Sequence, residues 1–161
     1  MVQGIIIPAS DAEDMRAIEL KEVEDYQKAV GGWIEALDID SFGCTMYLNE
    51  EGLIRGLQYN RRATYLWWYH VPHARGRARL AGDAVLVGLP DRNGRSTDVS
   101  TSVRELMLGM TLCQVELQRL NSPEWRAAPS ELQTYIEAVV GATLMMEYAP
   151  ERSLRVVTTS I

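Results

Sequence analysis

The chain has 161 residues, of which 47% are hydrophobic and 24% charged, and its formal net charge is -6. This length and composition are typical of one globular domain or two small subdomains, and they exclude a disordered or low-complexity chain. No apolar run approaches the ~20 residues that a membrane helix needs, and the first residues lack the basic region of a signal peptide. We therefore expect a cytoplasmic protein that has no membrane partner.

The predicted elements begin with a short buried strand over residues 4–8, which Pro8 ends. An acidic connector follows, and then a helix from Val23 to Leu37, because apolar residues recur there at steps of three and four. Residues 38–41 form a polar break. The alternating residues 44–48 predict a strand, and the turn chemistry of 49–52 predicts a hairpin whose return strand covers 53–57.

Asn60 is the predicted N-cap of a helix that continues through Trp68, and Pro72 ends that helix. A basic loop over 74–79 leads to a buried strand over 83–87, and residues 90–94 have the composition of a turn.

The residues after 100 predict a helix that opens with a capping box over 102–105 and reaches Leu108. Residues 111–118 fit either a strand or an extension of that helix, and their alternation favours the strand. A second helix over 129–140 is expected to stop at Gly141, and a hairpin of 142–148 with 154–159 closes the chain. The predicted fold class is α+β, with a small mixed sheet and hairpins packed against three to four helices.

Several short motifs together resemble a known family. They are Asn-Glu-Glu-Gly at 49–52, Gly-Leu at 56–57, Asn-Arg-Arg-Ala-Thr at 60–64 and Gly-Asp-Ala-Val at 82–85. In this order they resemble a small domain of unknown function found in actinobacteria and their phages. The resemblance covers residues 1–100 and implies an intracellular bacterial or phage origin, and it carries no catalytic residues. Residues 101–161 are predicted to form a β/α extension packed on the same core.

The charge distribution is strongly asymmetric. Residues 52–82 contain six arginines, five Tyr or Trp residues and both histidines, but no Asp or Glu, so the other 130 residues carry -12. Residues 1–51 carry -9. Guanidinium groups match phosphates and aromatic faces stack on bases, so the 52–82 segment predicts an anionic, flat or phosphorylated partner.

The start of the helix at Asn60 is the main candidate site. The first turn of a helix exposes unpaired N–H groups at the positive end of its dipole, and neighbouring arginines add charge. The predicted ligand-binding residues are Asn60, Arg61, Arg62, Thr64, Trp68, Arg75 and Arg77. The alternative is a capped amphipathic helix whose arginines pair with the acidic N-terminal third.

No motif identifies a reaction. The sequence lacks a Walker A loop, a dinucleotide-binding glycine motif, a nucleophile elbow and a zinc-protease motif, and Cys44 and Cys113 have no metal-ligand spacing. His70 and His73 are the only histidines, and zinc would need further ligands. We therefore predict no cofactor, no metal and no catalytic residues.

Three functions fit the sequence. The favoured one is a non-enzymatic bacterial or phage accessory protein that binds a nucleotide, a nucleic acid or a host protein through residues 52–82. The second is an enzyme acting on a nucleotide or another phosphorylated molecule, with Arg61 and Arg62 as anion clamps and His70 or His73 as acid or base. The third is an acidic decoy that mimics nucleic acid. The opposite charge poles also predict self-association, most simply as a two-fold homodimer.

Overall fold

The computed structural model describes residues 1–159, which form two antiparallel sheets and four α-helices. The strands of the first sheet are β1 (Val2–Ile7), β2 (Arg16–Leu20), β3 (Ile34–Ile39), β4 (Cys44–Asn49) and β5 (Ala84–Gly88). The strands of the second sheet are β6 (Leu112–Gln118), β7 (Trp125–Ala127), β8 (Gln133–Thr134) and β9 (Leu154–Thr158). The helices are α1 (Val23–Val30), α2 (Arg61–His70), α3 (Thr101–Leu108) and α4 (Tyr135–Tyr148). The predicted α+β class is confirmed.

The first sheet has the strand order β2-β1-β5-β4-β3, and each neighbouring pair is antiparallel. Strand β5 is central, and the side chains from Ala84 to Val87 are completely buried. A strand that is covered on both faces reads as a continuous apolar run, which is why the sequence identified it.

Helices cover both faces of the first sheet. Ile6 of β1 points to the face covered by α1, where it packs with Tyr26 and Val85. Its neighbours Ile5 and Ile7 point to the opposite face, because successive side chains alternate across a strand. That second face contacts α2, α3 and the second sheet.

Strand β6 is the central strand of the second sheet and pairs with β7, β8 and β9. Helix α4 packs against α2, β6 and β9. One hydrophobic cluster contains Ile5 and Leu86 of the first sheet together with Val115 of β6 and Val139 of α4. Residues from before and after position 100 therefore share one core. Within residues 1–159, none of the helices combines the length and apolar character that a membrane crossing requires.

The helix predicted from Val23 to Leu37 is wrong beyond Val30. Gly31 adopts a left-handed conformation with φ 78° and ends α1, and the following residues form β3, in which Ile34 pairs with Asn49. Ile34 and Leu37 are half-buried on opposite faces of the sheet and Trp33 is 69% exposed, so the helical spacing of these apolar residues does not correspond to one buried stripe. The acidic connector contains a strand that the sequence analysis missed, β2, whose residues are largely exposed.

The predicted hairpin over residues 44–57 is also wrong. Strand β4 is present, but its partners are β3 and β5, and residues 53–57 contain turns instead of a return strand. The Gly52 N–H donates to the carbonyl of Asn49 at 3.1 Å, so the chain turns tightly there without pairing back.

The C-terminal part needs three corrections, whereas the strand preference at 111–118 is confirmed by β6. Helix α4 begins after its cap Thr134 and runs through Gly141, so residues 142–148 are helical and not a strand. Strand β9 pairs with β6. The cap of α3 is Ser100, whose Oγ accepts from the N–H of Val103, two residues before the predicted cap.

Candidate functional site

Asn60 caps α2 and ties it to the first sheet. Its side chain is completely buried, its Oδ1 accepts from the N–H of Ala63 at 3.0 Å, and its Nδ2 donates to the carbonyls of Ile7 and Gly82 at 2.9 Å. The cap therefore fixes the position of α2 against β1 and the segment before β5.

Thr64 and Trp68 hold the basic loop against α2. The Thr64 hydroxyl donates to the carbonyl of Asn60 at 2.7 Å and accepts from the N–H of Leu80 at 3.0 Å. Trp68 is 2% exposed, and its Nε1 donates to the carbonyl of Ala78 at 2.9 Å. Both side chains thus have structural partners within the chain.

Arg61 and Arg62 contact the acidic N-terminal part of the chain. Arg61 Nε lies 3.3 Å from a carboxylate oxygen of Asp11, and Arg62 Nε lies 3.6 Å from the other. Arg62 Nη2 also donates to three carbonyls at 2.8 to 2.9 Å, those of Pro8, Ser10 and Glu13. These contacts are the ones expected from the alternative to an anion-binding site, in which the arginines of the helix pair with the acidic N-terminal third of the chain.

Arg75 lies at the other end of α2. Its Nε and Nη2 donate to the carbonyl of Trp68 at 3.3 and 3.1 Å, and its Nη1 contacts the sulfur of Met146 at 3.6 Å. Burial lowers the pKa of the guanidinium, which nevertheless stays protonated at neutral pH. Arg77 is exposed in the same loop.

The predicted site residues therefore divide between the two ends of α2, which are about 15 Å apart for a helix of this length. Arg61 and Arg62 belong to the first turn, whereas Arg75 packs on the last. The structure does not bring these arginines together in one site.

A cleft of about 440 Å³ lies at the last turn of α2. It is bounded by the end of α2, by α4 and by the turn that leads into β9, and the side chains that matter for its chemistry are Ser41, Tyr69, His70, Arg75, Arg152 and Ser153. The Tyr69 hydroxyl accepts from the N–H of Val156 at 2.8 Å, which fixes β9 against α2. Arg152 is half-buried at the edge of the cleft.

The charge of this lining distinguishes it from four other clefts formed by residues 1–159. The cleft at α2 contains two arginines and no carboxylate, whereas each of the others combines cations with at least one Asp or Glu. The cleft beside Arg61 and Arg62, for example, contains Asp11, Asp14 and Glu137. The cleft at the last turn of α2 thus offers an anion two arginines and no carboxylate in its lining, although the charge of Glu147 also acts on Arg75.

His70 forms the inner wall of the cleft. Its Nε2 lies 2.9 Å from the hydroxyl of Tyr135, and its ring stacks on Phe42 with centroids 4.3 Å apart. Burial lowers the pKa of His70 to about 4 and raises that of Tyr135, so both groups are neutral near pH 7. This pair can donate and accept hydrogen bonds, but it is poorly suited to proton transfer at that pH.

Comparison with known proteins gives a family for most of the chain. Residues 3–111 match the model of a domain of unknown function, DUF3846. The chain belongs to this family. The resemblance to a small domain of unknown function is therefore confirmed. No curated protein and no solved structure matches the chain.

The DUF3846 match contains the first sheet with α1, α2 and α3, and it ends just before β6. The cleft at α2 spans this boundary, because Tyr69, His70 and Arg75 lie inside the match and Arg152 lies outside it. Its composition therefore depends on how the C-terminal part packs on the DUF3846 domain.

No sequence pattern indicated Ser41, Arg152 or Ser153 as site residues. Each lies in a short connection with ordinary turn composition, and no spacing relates them to Arg75. Only the packing of α4 and β9 on α2 brings them together. Within residues 1–159, no three His, Cys, Asp or Glu side chains cluster in a way that could hold a metal ion.

Proposed function

We propose that the protein acts by binding a small anionic molecule, without converting it, in the cleft at the last turn of α2. The observation that carries this proposal is the pair of arginines, Arg75 and Arg152, in a lining that has no carboxylate. Arginine is suited to phosphate and carboxylate groups because its planar guanidinium donates two parallel hydrogen bonds.

The geometry of Arg75 supports this assignment. Its guanidinium is held by the carbonyl of Trp68 and by Met146, so little side-chain entropy is lost when a ligand binds. The hydroxyl of Ser153 and the ring of Tyr69 add a hydrogen-bonding and a stacking group, whereas the Ser41 hydroxyl donates to the carbonyl of His70 at 3.1 Å. A volume of about 440 Å³ falls in the range of small-molecule sites.

A small molecule is favoured over a nucleic acid strand. Of the six arginines in residues 52–82, Arg55, Arg61 and Arg62 form hydrogen bonds or ion pairs within the chain and face away from the cleft at the last turn of α2. The remaining Arg75, Arg77 and Arg79 would neutralise few phosphates, and nucleic acid affinity grows with the number neutralised.

Binding is also favoured over catalysis. The enzymatic alternative combined His70 or His73 with Arg61 and Arg62, but both histidines lie at the opposite end of α2 from these arginines. The neutral His70–Tyr135 pair is a weak base and a weak acid near pH 7. Inside the cleft it can serve as a hydrogen-bonding wall.

The test is a titration calorimetry screen of nucleoside monophosphates, inorganic phosphate and citrate against the wild-type protein, with short single-stranded DNA as a separate arm. We expect one or more small anions to bind, and Arg152→Ala to weaken that binding at least about tenfold. Arg126→Ala, an exposed arginine of β7, is the matched control and should leave the affinity unchanged. The proposal fails if no anion binds, if both variants behave alike, or if only DNA binds.

Chromatography of each bound anion after prolonged incubation separates binding from turnover. We expect every anion to be recovered intact. Conversion that is lost in His70→Gln would instead support the enzymatic alternative.

We also propose self-association, together with the bacterial or phage origin and cytoplasmic location that the resemblance implies. Leu53 and Ile54 are 65% and 89% exposed in the loop after β4, and Arg79 lies over the ring of Tyr59 in the same region. The buried centre of an interface is more apolar than the rest of the surface and is enriched in tyrosine and arginine. Sedimentation at micromolar concentration should show a species larger than 18 kDa that Ile54→Asp dissociates, and an unchanged 18 kDa species would oppose this idea.

A further inference from the structure

A second cavity lies on the face of the first sheet that α1 covers. Helix α1 has only eight residues, so it leaves part of the five-stranded sheet uncovered. The cavity beside it has a volume of about 380 Å³. Its walls include Val23 and Tyr26 of α1 and Tyr47 of β4.

Two tyrosine rings form the aromatic part of this cavity. The rings of Tyr26 and Tyr47 pack edge to face, with centroids 5.0 Å apart and an interplanar angle of 69°. Tyr26 is 7% exposed, so the position of its ring is fixed by packing. A planar ligand gains stacking or edge-to-face contacts against such a wall.

Polar groups converge on one side of the same cavity. The hydroxyl oxygens of Tyr47 and Ser96 are 3.3 Å apart, and the hydroxyl of Tyr26 also lies next to Ser96. Arg95 and Lys21 line the cavity together with one carboxylate, that of Glu22, and Lys21 also lies near the carboxylate of Asp25. Within residues 1–159, the Arg95 guanidinium has no carboxylate within 4.0 Å.

The loop that carries Arg95 and Ser96 is well anchored. Asp91 Oδ1 accepts from the N–H groups of Asn93 and Arg95 at 2.8 and 2.9 Å, and the N–H of Asp91 donates to the carbonyl of Arg95 at 2.9 Å. The Thr97 hydroxyl donates to the carbonyl of Leu89 at 2.7 Å. A loop held in this way presents its side chains with little ordering cost.

We propose that this cavity binds a small planar aromatic molecule that carries one negatively charged group. The ring lies against Tyr26 and Tyr47, its polar edge meets the hydroxyl of Ser96, and the charged group faces Arg95 and Lys21. A cavity with apolar walls and a few convergent polar groups is the usual form of a small-molecule site.

This site is independent of the cleft at α2. The cavity belongs to the face of the first sheet that packs on α1, and the cleft belongs to the opposite face. Apart from Val2, the residues around the cavity all fall inside the DUF3846 match. The cavity is therefore built by the DUF3846 domain alone, without the C-terminal part.

The test uses the full chain with benzoate, indoleacetate and adenosine monophosphate, each compared with its uncharged counterpart benzamide, indoleacetamide or adenosine. We expect at least one anion to bind with a Kd below about 1 mM and at least about tenfold more tightly than its counterpart. Amide NMR signals of Tyr26, Tyr47 and Ser96 should shift on binding.

Variants locate the site. Arg95→Ala should weaken binding about tenfold, and Val23→Trp, which fills the opening from a half-exposed position, should abolish it. Arg92→Ala, in the same loop but outside the cavity, is the matched control, and Arg152→Ala distinguishes this site from the cleft at α2. The proposal is overturned if no aromatic anion binds, if the uncharged counterparts bind equally well, or if Arg95→Ala and Val23→Trp leave binding unchanged.

Discussion

The Nε2 atom of His70 lies 2.9 Å from the hydroxyl oxygen of Tyr135, and this hydrogen bond joins the last residue of α2 to the first residue of α4. Phe42 stacks on both rings, with centroid distances of 4.3 Å to His70 and 5.8 Å to Tyr135. The contact connects the DUF3846 domain to the C-terminal part, and Phe42 shields one face of the half-buried imidazole from water.

We predict that the free energy of unfolding falls as the pH is lowered from about 6.5 to about 4, partly because of His70. Its pKa is depressed to about 4 in the folded state, so between these values the unfolded chain binds a proton that the folded chain does not. The contribution of His70 to the free energy of unfolding is therefore fully present above about pH 6.5. Its loss is complete below about pH 4 and amounts to at most about 3 kcal/mol. Denaturant unfolding at several pH values should show a smaller loss for His70→Gln than for the wild type. His73→Gln, at an exposed histidine, is the control, and equal losses in all three proteins would contradict this assignment.

We predict that Asn60→Ala destabilises the fold by about 3 kcal/mol, measured by urea unfolding. The substitution removes a helix cap and leaves the buried carbonyls of Ile7 and Gly82 without their donor. Asn93→Ala, in an exposed turn, should change the stability by less than about 0.5 kcal/mol. A similar small effect for Asn60→Ala would show that α2 is not anchored in this way.

The two arginines of the cleft should respond differently to substitution. Arg75→Ala removes donors to the carbonyl of Trp68 and is expected to lower both the melting temperature and the affinity for an anion. Arg152→Ala should lower only the affinity, because within residues 1–159 its side chain makes no ion pair. Thermal unfolding and calorimetry of both variants check this. A loss of stability in Arg152→Ala equal to that in Arg75→Ala would argue for a structural role instead.

Both cysteines should resist a thiol reagent in the native protein. Cys44 and Cys113 are reduced and buried, and burial raises the pKa of Cys44 to about 12, so near pH 8 only about one thiol in ten thousand is ionised. We expect labelling by a disulfide reagent to be slow in buffer and rapid in denaturant. Rapid native labelling of either cysteine would show that the core opens easily.

We predict that Gly141→Ala stabilises the protein by about 0.5–1 kcal/mol. Gly141 lies in the interior of α4, and an added Cβ meets no atom within 4 Å, so alanine gains its higher helix propensity without a clash. Gly141→Pro should destabilise strongly, by about 3 kcal/mol or more. Urea unfolding of both variants tests this prediction. Destabilisation by alanine would indicate that the helix stops at Gly141, as expected from the sequence, and that residues 142–148 form a strand.

The sequence by itself determined the features that depend on neighbouring residues. The apolar run at β5 and the cap at Asn60 were both recognisable, because burial on two faces and helix capping leave a local pattern. Local patterns gave wrong predictions at glycines, because a glycine can either end a helix or lie inside one. Gly31 ends a helix through a left-handed conformation, whereas Gly141 continues a helix that packs against α2, β6 and β9.

Only the tertiary structure determined which arginines pair with a carboxylate and which do not. The sequence identified an arginine-rich segment, but Asp11 pairs with Arg61 and Arg62, and those contacts depend on how the loop after β1 folds over α2. Arg75 and Arg152 share a cleft although 77 positions separate them in the chain. Backbone preference acts over a few residues, whereas the position of a distant side chain follows from the burial of apolar surface between whole elements, which no local pattern records.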